Sequence, residues 1–360
     1  MPTERDEVAT SWARCARYRR QLVLMALIVP VLACGQARPP RPPSPVIVDV
    51  EWAAAPAIRR VAPGSDNWPL TWGDDGSLYA AYGDGEGFDP QSGHKLSLGL
   101  ARIEGGPRDF EGFNIRSASG EQYGHGSAGK KASGMLMVEG LLLMWVRNVN
   151  GTGEQCQLAW SKDHGASWEW SHWKFEQFGY CTFINFGRNY QGARDEYVYM
   201  TTPDGPSAYV ASDAFVLARV PKGRIRDREA YEFFTGLGPD QQPRWSANIA
   251  ERGPVFSNPG NCRRSSISFN AGLGRYLWWQ GLGEGTKRFK GGFGIYDAPN
   301  PWGPWTTVFF TEDWDVGPGD TGSFPTKWIS EDGRKAALVF SGEDAFSVRD
   351  VTFVVAHPRQ

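Results

Sequence analysis

The chain has 360 residues, and its 38 Lys and Arg against 40 Asp and Glu give a formal net charge of −2. This near-balance argues against a nucleic-acid-binding protein, which needs a basic excess to neutralise phosphates. The 44 Gly and 25 Pro are spread along the chain as turn residues, which disfavours a helical bundle and favours an all-β protein. Five His without a His-Glu-x-x-His motif argue against a zinc hydrolase.

The N-terminal segment has the pattern of an export signal. Four arginines between Arg14 and Arg20 precede an apolar run over residues 22–33, which is shorter than the roughly 20 residues of a membrane-spanning helix. The run ends in a sequence that resembles a bacterial lipoprotein box, with Cys34 as the lipidated residue; ordinary signal cleavage is the alternative. The sequence thus predicts a signal peptide over 1–34 and an exported protein, either lipid-anchored to the bacterial membrane surface or secreted.

A proline-rich segment over residues 35–45 follows the signal. Its prolines predict a stiff, extended spacer of the polyproline type, suited to holding a domain away from a membrane surface. The remaining residues, 46–360, are enough for one large β domain, which we expect to be monomeric. The domain contains three cysteines, Cys156, Cys181 and Cys262, which allow at most one disulfide; buried structural thiols are the favoured interpretation.

Strand–turn–strand units recur five times in this domain. Each turn carries Gly, Asn or Asp where the backbone needs positive φ, and a third strand follows most of the hairpins. A repeat of about 50 to 65 residues fits a four-stranded blade with its loops, so the sequence predicts a five-bladed β-propeller. The hairpins are predicted at 68–72 with 78–82, 134–138 with 141–146, 182–186 with 197–201, 265–269 with 276–280, and 324–329 with 336–340.

Two further segments complete the predicted propeller. A strand over 47–52 precedes the first hairpin and is expected to add to the last blade, which would close the ring and cover an exposed edge. Residues 227–234 form the one predicted helix, an insertion between blades. A β-sandwich or two smaller β domains are the alternative architectures.

One local motif is typical of propellers. Residues 161–168 fit the pattern Ser-x-Asp-x-Gly-x-x-Trp, the Asp box known from sialidases and other propellers, where it lies away from the active site. Asp163 is expected to accept hydrogen bonds from the N–H groups of a tight turn, and Trp168 to pack beneath that turn. Both residues are therefore predicted to be structural.

The candidate catalytic residues come from the open end of the first hairpin. Asp66 lies nine residues before Asp75, the centre of the turn, and Asp84 lies nine residues after it. Residues at equal distances from a hairpin turn face each other at roughly 4.5–5.5 Å. Two adjacent carboxylates raise the pKa of one and leave the other ionised, the pair that glycoside hydrolysis requires. Trp68 and Phe88 nearby are predicted to stack on sugar rings, and the alternative role for the two aspartates is hydrogen bonding in Gly-rich turns.

The same symmetry in other blades gives a ring of polar residues around the propeller axis. Lys131 is predicted to face Asn148, and Lys327 to lie just inside the first strand of the last blade. Such a ring suits hydroxyl-rich or acidic ligands, although each residue alone could be a solvated surface group. The candidate substrate-binding residues are Asn67, Trp68, Lys131, Arg147, Asn148, Arg264, Gln280, Lys327 and Glu343, with Asp204, Asp320 and Asp344 as further carboxylates.

Two short segments resemble a known family. Residues 64–67 (Gly-Ser-Asp-Asn) and 82–85 (Tyr-Gly-Asp-Gly) are similar to segments of exported bacterial five-bladed propellers, long labelled a domain of unknown function, that include endo-D-arabinanases. The resemblance covers residues 46–357 and implies inverting hydrolysis of arabinofuranose polymers with Asp66 and Asp84 as the catalytic pair. The chain has Ser, Asn and Trp around the first aspartate and Gly after the second, where the family has Gly-Gly-Thr-Asp-Leu-Gly and Gly-Asp-Thr, so another glycan is also compatible.

We therefore expect a glycoside hydrolase that acts on a polysaccharide or cell-wall glycan, with an arabinan-like substrate favoured. Facing strand positions place the carboxyl groups at about 5 Å, as in retaining enzymes, whereas the resemblance implies inversion, so both outcomes stay open. No cofactor or metal is predicted, although an axial Ca²⁺ is compatible, and membrane contact is expected only through the lipid anchor. The alternatives are a polysaccharide lyase, with a Tyr or His base and an Arg or Lys that neutralises a uronate, and a non-catalytic carbohydrate-binding propeller.

Overall fold

The computed structural model describes residues 38–283 and 291–356. In this part of the chain the structure is dominated by β-strands, joined by turns and by 3-10 helices of three residues each. The predicted signal peptide over 1–34 and the predicted lipidation site Cys34 lie outside the described residues. No helix among those described is long and apolar enough to cross a membrane.

The strands follow one another along the chain with short connections. They are β1 (Ile47–Trp52), β2 (Arg59–Val61), β3 (Leu70–Trp72), β4 (Leu78–Tyr82), β5 (Gly99–Glu104), β6 (Glu111–Ile115), β7 (Lys131–Val138), β8 (Leu141–Arg147), β9 (Cys156–Ser161), β10 (Glu169–Phe175), β11 (Thr182–Asn185), β12 (Tyr197–Pro203), β13 (Ser212–Pro221), β14 (Glu232–Leu237), β15 (Pro243–Ser246), β16 (Pro254–Cys262), β17 (Ser265–Asn270), β18 (Arg275–Gly281), β19 (Phe293–Ala298), β20 (Thr306–Thr311), β21 (Gly322–Ser323), β22 (Lys335–Phe340) and β23 (Phe346–Val355). The 3-10 helices are Ala55–Ala57, Gly126–Ala128, Arg188–Tyr190, Lys222–Arg224, Arg228–Ala230, Ile249–Glu251, Thr326–Trp328 and Gly342–Asp344.

Within the described ranges these strands form five antiparallel blades. Blade 1 is β3–β6, blade 2 is β7–β10 and blade 4 is β17–β20, each a meander of consecutive strands. Blade 3 is β11–β14, extended by β15, and β16 also pairs with β13. Blade 5 consists of β21, β22, β23 and β1, and β2 also pairs with β23. A short parallel pairing of β11 with β17 joins the first strands of blades 3 and 4. The predicted five-bladed β-propeller is confirmed.

The first strand of every blade borders one narrow axial cavity. This cavity has a volume of about 30 Å³, enough for about two water molecules. Its lining includes Trp68, Ser133, Tyr180, Ser265 and Thr321, one residue from each blade or from the segment that leads into it. The residues that immediately precede these first strands therefore converge at one end of the axis.

The ring closes through the N-terminal strand. β1 pairs antiparallel with β23, from Ile47 opposite Val355 to Trp52 opposite Val351, as the sequence predicts. Because β23 would otherwise present unpaired backbone groups, this pairing removes an exposed edge and joins the two ends of the domain.

Part of the proline-rich segment is bound to the domain. The N–H of Thr307 donates to the carbonyl of Pro42 at 2.7 Å, and its hydroxyl donates to the carbonyl of Arg41 at 2.8 Å. The buried hydroxyl of Ser44 donates to Asp297 at 2.9 Å. The domain's contacts therefore begin at Arg41, before the predicted boundary at residue 46.

The core lies between the blades. The middle strands are buried on both faces, so β4 reads Leu-Tyr-Ala-Ala-Tyr and every one of its residues is buried. Aromatic side chains fill the spaces between blades; the rings of Phe215 and Trp278, for example, lie 4.9 Å apart between blades 3 and 4. Each buried large side chain contributes roughly 1.5–3 kcal/mol of hydrophobic stabilisation.

The structure corrects two predicted elements. Only Arg228–Ala230 of the predicted helix is helical, and Glu232–Leu237 is strand β14, because its backbone pairs with strands β13 and β15. The predicted strand over 324–329 is also wrong. Its place is taken by β21 and by the 3-10 helix Thr326–Trp328, which begins directly after Pro325, a residue without an N–H for strand pairing.

The Asp box and the cysteines are structural, as predicted. The Asp163 carboxylate accepts hydrogen bonds from the N–H of Ser167 at 2.8 Å and the hydroxyl of Ser161 at 2.7 Å, while Trp168 is buried. The three cysteines of the domain are buried free thiols, and the N–H of Cys181 lies 3.1 Å from the sulfur of Cys156.

Candidate active site

The first hairpin places Asp66 opposite Gly83 rather than opposite Asp84. β3 and β4 pair symmetrically about the turn, but Asp66 and Gly83 exchange two backbone hydrogen bonds of 2.7 and 2.8 Å. The one-residue shift follows the positive φ of Asn67, which is 52°. The predicted facing pair is thus wrong by one residue, yet the charge of Asp84 still acts on Asp66.

Blade 2 shows the same kind of shift. Lys131 pairs with Arg147 and not with the predicted Asn148, because the register changes between Ala132 and Gly134. Bulges of this kind are common beside active sites, where they redirect side chains. In both blades the irregularity falls at the end of the hairpin remote from the turn.

Two glycines allow the Asp84 segment to approach the segment that carries Asp66. A Cβ atom on Gly85 would lie 2.1 Å from the hydroxyl of Ser65, and one on Gly83 would lie 2.9 Å from the Asp66 carboxylate. Because neither distance is compatible with a real Cβ contact, only glycine fits at these two positions. Asp84 itself has a φ of 50°.

Asp66 is a buried carboxyl group among other charges. Its side chain accepts a 2.6 Å hydrogen bond from the amide of Asn67. Burial, together with the negative charges of Asp320 and Asp84, raises the pKa of Asp66 from 3.8 to about 6, although the positive charge of Lys131 opposes the shift. Asp66 is therefore a carboxyl group that can hold a proton near neutral pH.

Asp84 forms an ion pair with Lys131, whose Nζ lies 2.5 Å from the carboxylate. The lysine side chain is 3% exposed, whereas that of Asp84 is 29% exposed and reaches solvent. A buried ammonium is stable only beside a negative charge, and Asp84 supplies that charge to Lys131. The two aspartates thus have different environments.

Arg147 is completely buried and bonds to neutral groups. Its Nη1 donates to the hydroxyl of Tyr209 at 3.2 Å and to the amide oxygen of Asn148 at 3.4 Å. Its Nη2 donates to the amide oxygen of Asn67 at 3.2 Å. Asn148 in turn donates to Tyr209 at 2.9 Å. This network connects blade 2 to the segment that carries Asp66.

Blades 4 and 5 add an arginine–aspartate pair. Arg264 lies 2.7 Å from Asp320, and the two side chains are 4% and 10% exposed. Burial opposes the charged form of Arg264, but the charge of Asp320 overrides it and raises the arginine pKa above its usual value. The adjacent Arg263 differs, because burial and the charge of Arg264 lower its pKa to about 10.

Two tyrosines contact both central arginines. The guanidinium carbon of Arg147 lies 5.7 Å from the ring centre of Tyr180 and 5.4 Å from that of Tyr209. The corresponding distances for Arg264 are 6.0 and 5.8 Å. Ring faces stabilise nearby cations, so the tyrosines help to hold these two guanidinium groups together.

All five blades contribute to this group of residues, at the end of the axis where the first strands begin. We call it the axial cluster. Two of its carboxyl groups pair with cations, and the tyrosines contact the arginines. The members are Asp66, Asn67, Asp84, Lys131, Arg147, Asn148, Tyr180, Tyr209, Arg263, Arg264 and Asp320.

The predicted sugar-stacking aromatics are core residues. Trp68 is 2% exposed and Phe88 is 4% exposed. They pack against each other at 5.4 Å and against Phe346 of blade 5 at 5.0 and 5.5 Å. Trp68 therefore offers no ring face to a sugar, and the prediction is corrected because the contacts between blades 1 and 5 cover both rings.

Two predicted binding residues lie outside the axial cluster. Lys327 is on the 3-10 helix Thr326–Trp328, where the charges that act on it are Asp75, Glu104 and Asp109 at the turn end of blade 1. Glu343 is 68% exposed and pairs with Arg60 at 3.1 Å. Neither location suits the predicted role.

Two further predicted residues, Gln280 and Asp204, are not members of the axial cluster. Gln280 pairs with Ser265 as predicted and is buried, and its amide nitrogen has no hydrogen-bond partner within the described ranges. Asp204 pairs with Arg252 at 2.8 Å and does not join the cluster.

Three members of the cluster were not predicted. Tyr180 precedes the first strand of blade 3, as Asn67 and Arg264 precede those of blades 1 and 4, so the hairpin symmetry applied to blade 3 would have found it. Arg263 is next to a predicted residue. Tyr209 comes from the connection between β12 and β13, and no local pattern in the sequence marks it.

Among the residues that the structure describes, no group of three or more His, Cys, Asp or Glu side chains is arranged to hold a metal ion. The three carboxyl groups of the axial cluster are instead interleaved with Lys131, Arg264 and Asn67.

Comparison with known proteins gives structural matches only. No protein-family model matches the chain, and no curated protein sequence matches it. A GH43_1 enzyme from Xanthomonas citri is 11% identical, with a TM-score of 0.46 over 82% of this chain and 91% of that one. An α-L-arabinofuranosidase from Podospora anserina is 9% identical, with a TM-score of 0.46 over 88% of this chain and 99% of that one. These similarities assign neither a family nor an activity to this chain.

Proposed function

We propose that this protein is a glycoside hydrolase that cleaves a polysaccharide or cell-wall glycan. The observation that carries the proposal is the contrast between two neighbouring carboxyl groups. Asp66 is buried with a pKa of about 6, and Asp84 is partly exposed and paired with Lys131. Environments that separate the protonation of two carboxyl groups provide an acid and a base in one site.

The different environments of the two aspartates support a different role for each in this proposal. Protonated Asp66 is the general acid and gives its proton to the glycosidic oxygen as the bond to the anomeric carbon breaks. Ionised Asp84 is the base and removes a proton from the water whose oxygen attacks that carbon. One water is consumed, and the proton taken up by Asp84 leaves to solvent before Asp66 is protonated again.

The remaining members of the axial cluster position the substrate and the acid. The amide of Asn67 holds the Asp66 carboxyl group and accepts hydrogen bonds from Arg147 and Arg264. Planar guanidinium groups fix the orientation of ligand oxygens better than flexible ammonium groups do. The two arginines therefore orient the sugar oxygens beside the aspartate pair.

The cellular setting of the proposal comes from the sequence. We infer an exported protein, lipid-anchored through Cys34 or secreted, that works as a monomer without a cofactor on an arabinan-like glycan. The proline-rich segment before Arg41 would separate the propeller from the membrane surface.

Incubation of the purified protein with arabinans, other plant and microbial polysaccharides and sialylated glycans tests the proposal. We expect new reducing ends from one class of glycan, and loss of this product in both Asp66→Asn and Asp84→Asn. Full activity in either variant would overturn the assignment of the pair.

One observation favours a second candidate, a polysaccharide lyase. Tyr209 has its hydroxyl 3.2 Å from Arg147, and a tyrosine beside an arginine is the arrangement that removes a proton next to a uronate carboxylate. A lyase would release unsaturated products that absorb ultraviolet light, without consuming water. Binding of a glycan without either kind of product would instead indicate a carbohydrate-binding propeller.

A further inference from the structure

The axial cluster contains more cations than carboxylates. Its positive side chains belong to Lys131, Arg147, Arg263 and Arg264, and its acidic side chains to Asp66, Asp84 and Asp320. Two of the cations are neutralised by ion pairs, Lys131 by Asp84 and Arg264 by Asp320. When Asp66 carries the proton that its role as general acid requires, the cluster has an excess of two positive charges.

Arg147 is the clearest uncompensated cation. It is 0% exposed, and within the described ranges no carboxylate lies at ion-pair distance from it. Its partners are Asn67, Asn148 and Tyr209, all neutral, and its Nε has no hydrogen-bond partner there. An unpaired charge inside a protein is strongly unfavourable unless an opposite charge joins it.

Arg263 is the second uncompensated cation. Among the residues that the structure describes it has no ion pair and no hydrogen bond, and its Nε is buried. Arg263 is only partly exposed, and the charges that act on it are those of Arg264, Asp320 and Arg147, all members of the axial cluster. Burial and the repulsion from Arg264 together disfavour its positive charge, which is the condition that a bound anion would relieve.

The rings of Tyr180 and Tyr209 partly stabilise the buried positive charge of Arg147. Such contacts stabilise a cation much less than burial without an opposite charge destabilises it. Arg263 has no such ring contact among the described residues. A neutral sugar would supply only hydroxyl groups to either arginine, whereas a carboxylate or phosphate matches the planar guanidinium with two charge-assisted hydrogen bonds.

We propose that the axial cluster recognises an acidic glycan, in which a carboxylate- or phosphate-bearing sugar residue binds to Arg147 and Arg263 beside the Asp66–Asp84 pair. This inference rests on the proposed function, because it names the substrate class of the same site. It departs from a neutral arabinan as the substrate. The acidic group is the ligand that completes the charge balance of the cluster.

Calorimetric titration with matched acidic and neutral oligosaccharides tests the inference. The probes are a hexuronate oligosaccharide, the same oligosaccharide after chemical reduction of its carboxylates to alcohols, a phosphorylated oligosaccharide with its dephosphorylated form, and a neutral arabinan oligosaccharide. We expect one acidic probe to bind at least about tenfold more tightly than its neutral counterpart, since charge-assisted hydrogen bonds to an anion are stronger than hydrogen bonds to a hydroxyl group. The preference should weaken as salt is added.

Arg263→Gln is the principal variant, because Arg263 has no described bond whose loss would unfold the protein. It should reduce the acidic-to-neutral preference to nearly one, because the acidic form loses the cation that its anionic group would bind. Arg147→Gln should reduce it as well. Arg108→Gln, which removes an arginine whose side chain is 84% exposed at the other end of blade 1, is the matched control and should leave the preference intact.

The possible outcomes test the acidic-glycan inference and the hydrolase proposal separately. Equal binding of acidic and neutral forms, binding of no acidic probe, or an unchanged preference in Arg263→Gln would overturn the acidic-glycan inference. Hydrolysis of neutral arabinan with no acidic preference would leave the hydrolase proposal standing alone. An Arg263-dependent preference without any cleavage would support the acidic-glycan inference and overturn the hydrolase proposal.

Discussion

In blades 1 and 2, a carboxyl group at the turn end and one at the axial end have pKa values that are shifted in opposite directions. At the turn end of blade 2, the Asp163 carboxylate accepts hydrogen bonds from residues of its own turn, which lower its pKa. At the axial end, Asp66 is buried among charges from several blades, and its pKa is raised to about 6. The same side chain is therefore a structural anion in one place and a proton donor in the other.

The difference lies in where the partners come from. Asp163 is satisfied by Ser161 and Ser167, which are at most four residues away in the sequence. Asp66 interacts with Asp320, Lys131 and Asp84, which belong to three different blades. Charges that are balanced locally stabilise the fold, whereas charges brought together by distant segments remain imperfectly balanced and can react.

The largest predicted effect is a difference in glycan cleavage between a variant at the axial end and a variant at the turn end. Asp66→Asn should reduce glycan cleavage by about 10²–10⁴-fold, because general acid catalysis contributes an effect of that size. Asp163→Asn should leave kcat unchanged, since the Asp box is remote from the axial cluster. Rates of reducing-end release by the two variants check this, and equal losses would remove the distinction between the ends.

The second prediction concerns stability, where the two aspartates should have opposite pH dependence. The folded pKa of Asp66 lies above its unfolded value of 3.8, so its contribution is complete below pH 3.8 and is lost as pH rises through about 6. The full change is about 3 kcal/mol. The folded pKa of Asp163 is lowered, so its contribution is present above pH 3.8 and is lost as pH falls.

Urea unfolding of both asparagine variants between pH 3 and pH 8 measures these contributions. Relative to the unmodified protein, Asp66→Asn should become more stable as pH rises through 4–6, because it no longer loses the contribution of the protonated carboxyl group. Asp163→Asn should be less stable at neutral pH and should approach the unmodified protein in acid. Slopes of the same sign in the two comparisons would contradict the assignment.

The smallest predicted effect is a shift in a pH profile. Lys131 lowers the pKa of Asp66, so Lys131→Gln should move the alkaline limb of the activity profile to higher pH and lower the maximal rate by leaving Asp84 without its cation. Lys162→Gln is the matched control, because Lys162 pairs with Glu169 on the surface and its side chain is 65% exposed. That variant should not change the profile.

Much of this fold can be predicted from the sequence, because the same strand–turn–strand pattern recurs along the chain. Alternating apolar strands with Gly and Asp turns identify the hairpins, and the spacing of those hairpins predicts the blades and the closing strand over 47–52. The symmetry of each hairpin about its turn indicates which residues flank the paired strands, and it predicts Asp66, Asp84, Lys131 and Arg264 as site residues. These features depend on residues close together in the chain.

Other features required contacts between distant residues. The one-residue shifts beside Asn67 and between Ala132 and Gly134 break the symmetry that the turns suggest, and no periodicity in the sequence marks them. Tyr209 enters the cluster from a connection with no periodic pattern.

Composition and hairpin spacing by themselves determined the all-β architecture, the order of the blades and the end of the axis at which polar side chains collect. Tertiary structure alone decided that Trp68 is covered by Phe346, that Asp320 pairs with Arg264, and that Arg147 is buried without an acidic partner among the described residues. The physical reason is that strand pairing follows local periodicity, whereas burial and charge depend on which side chains from separate blades meet.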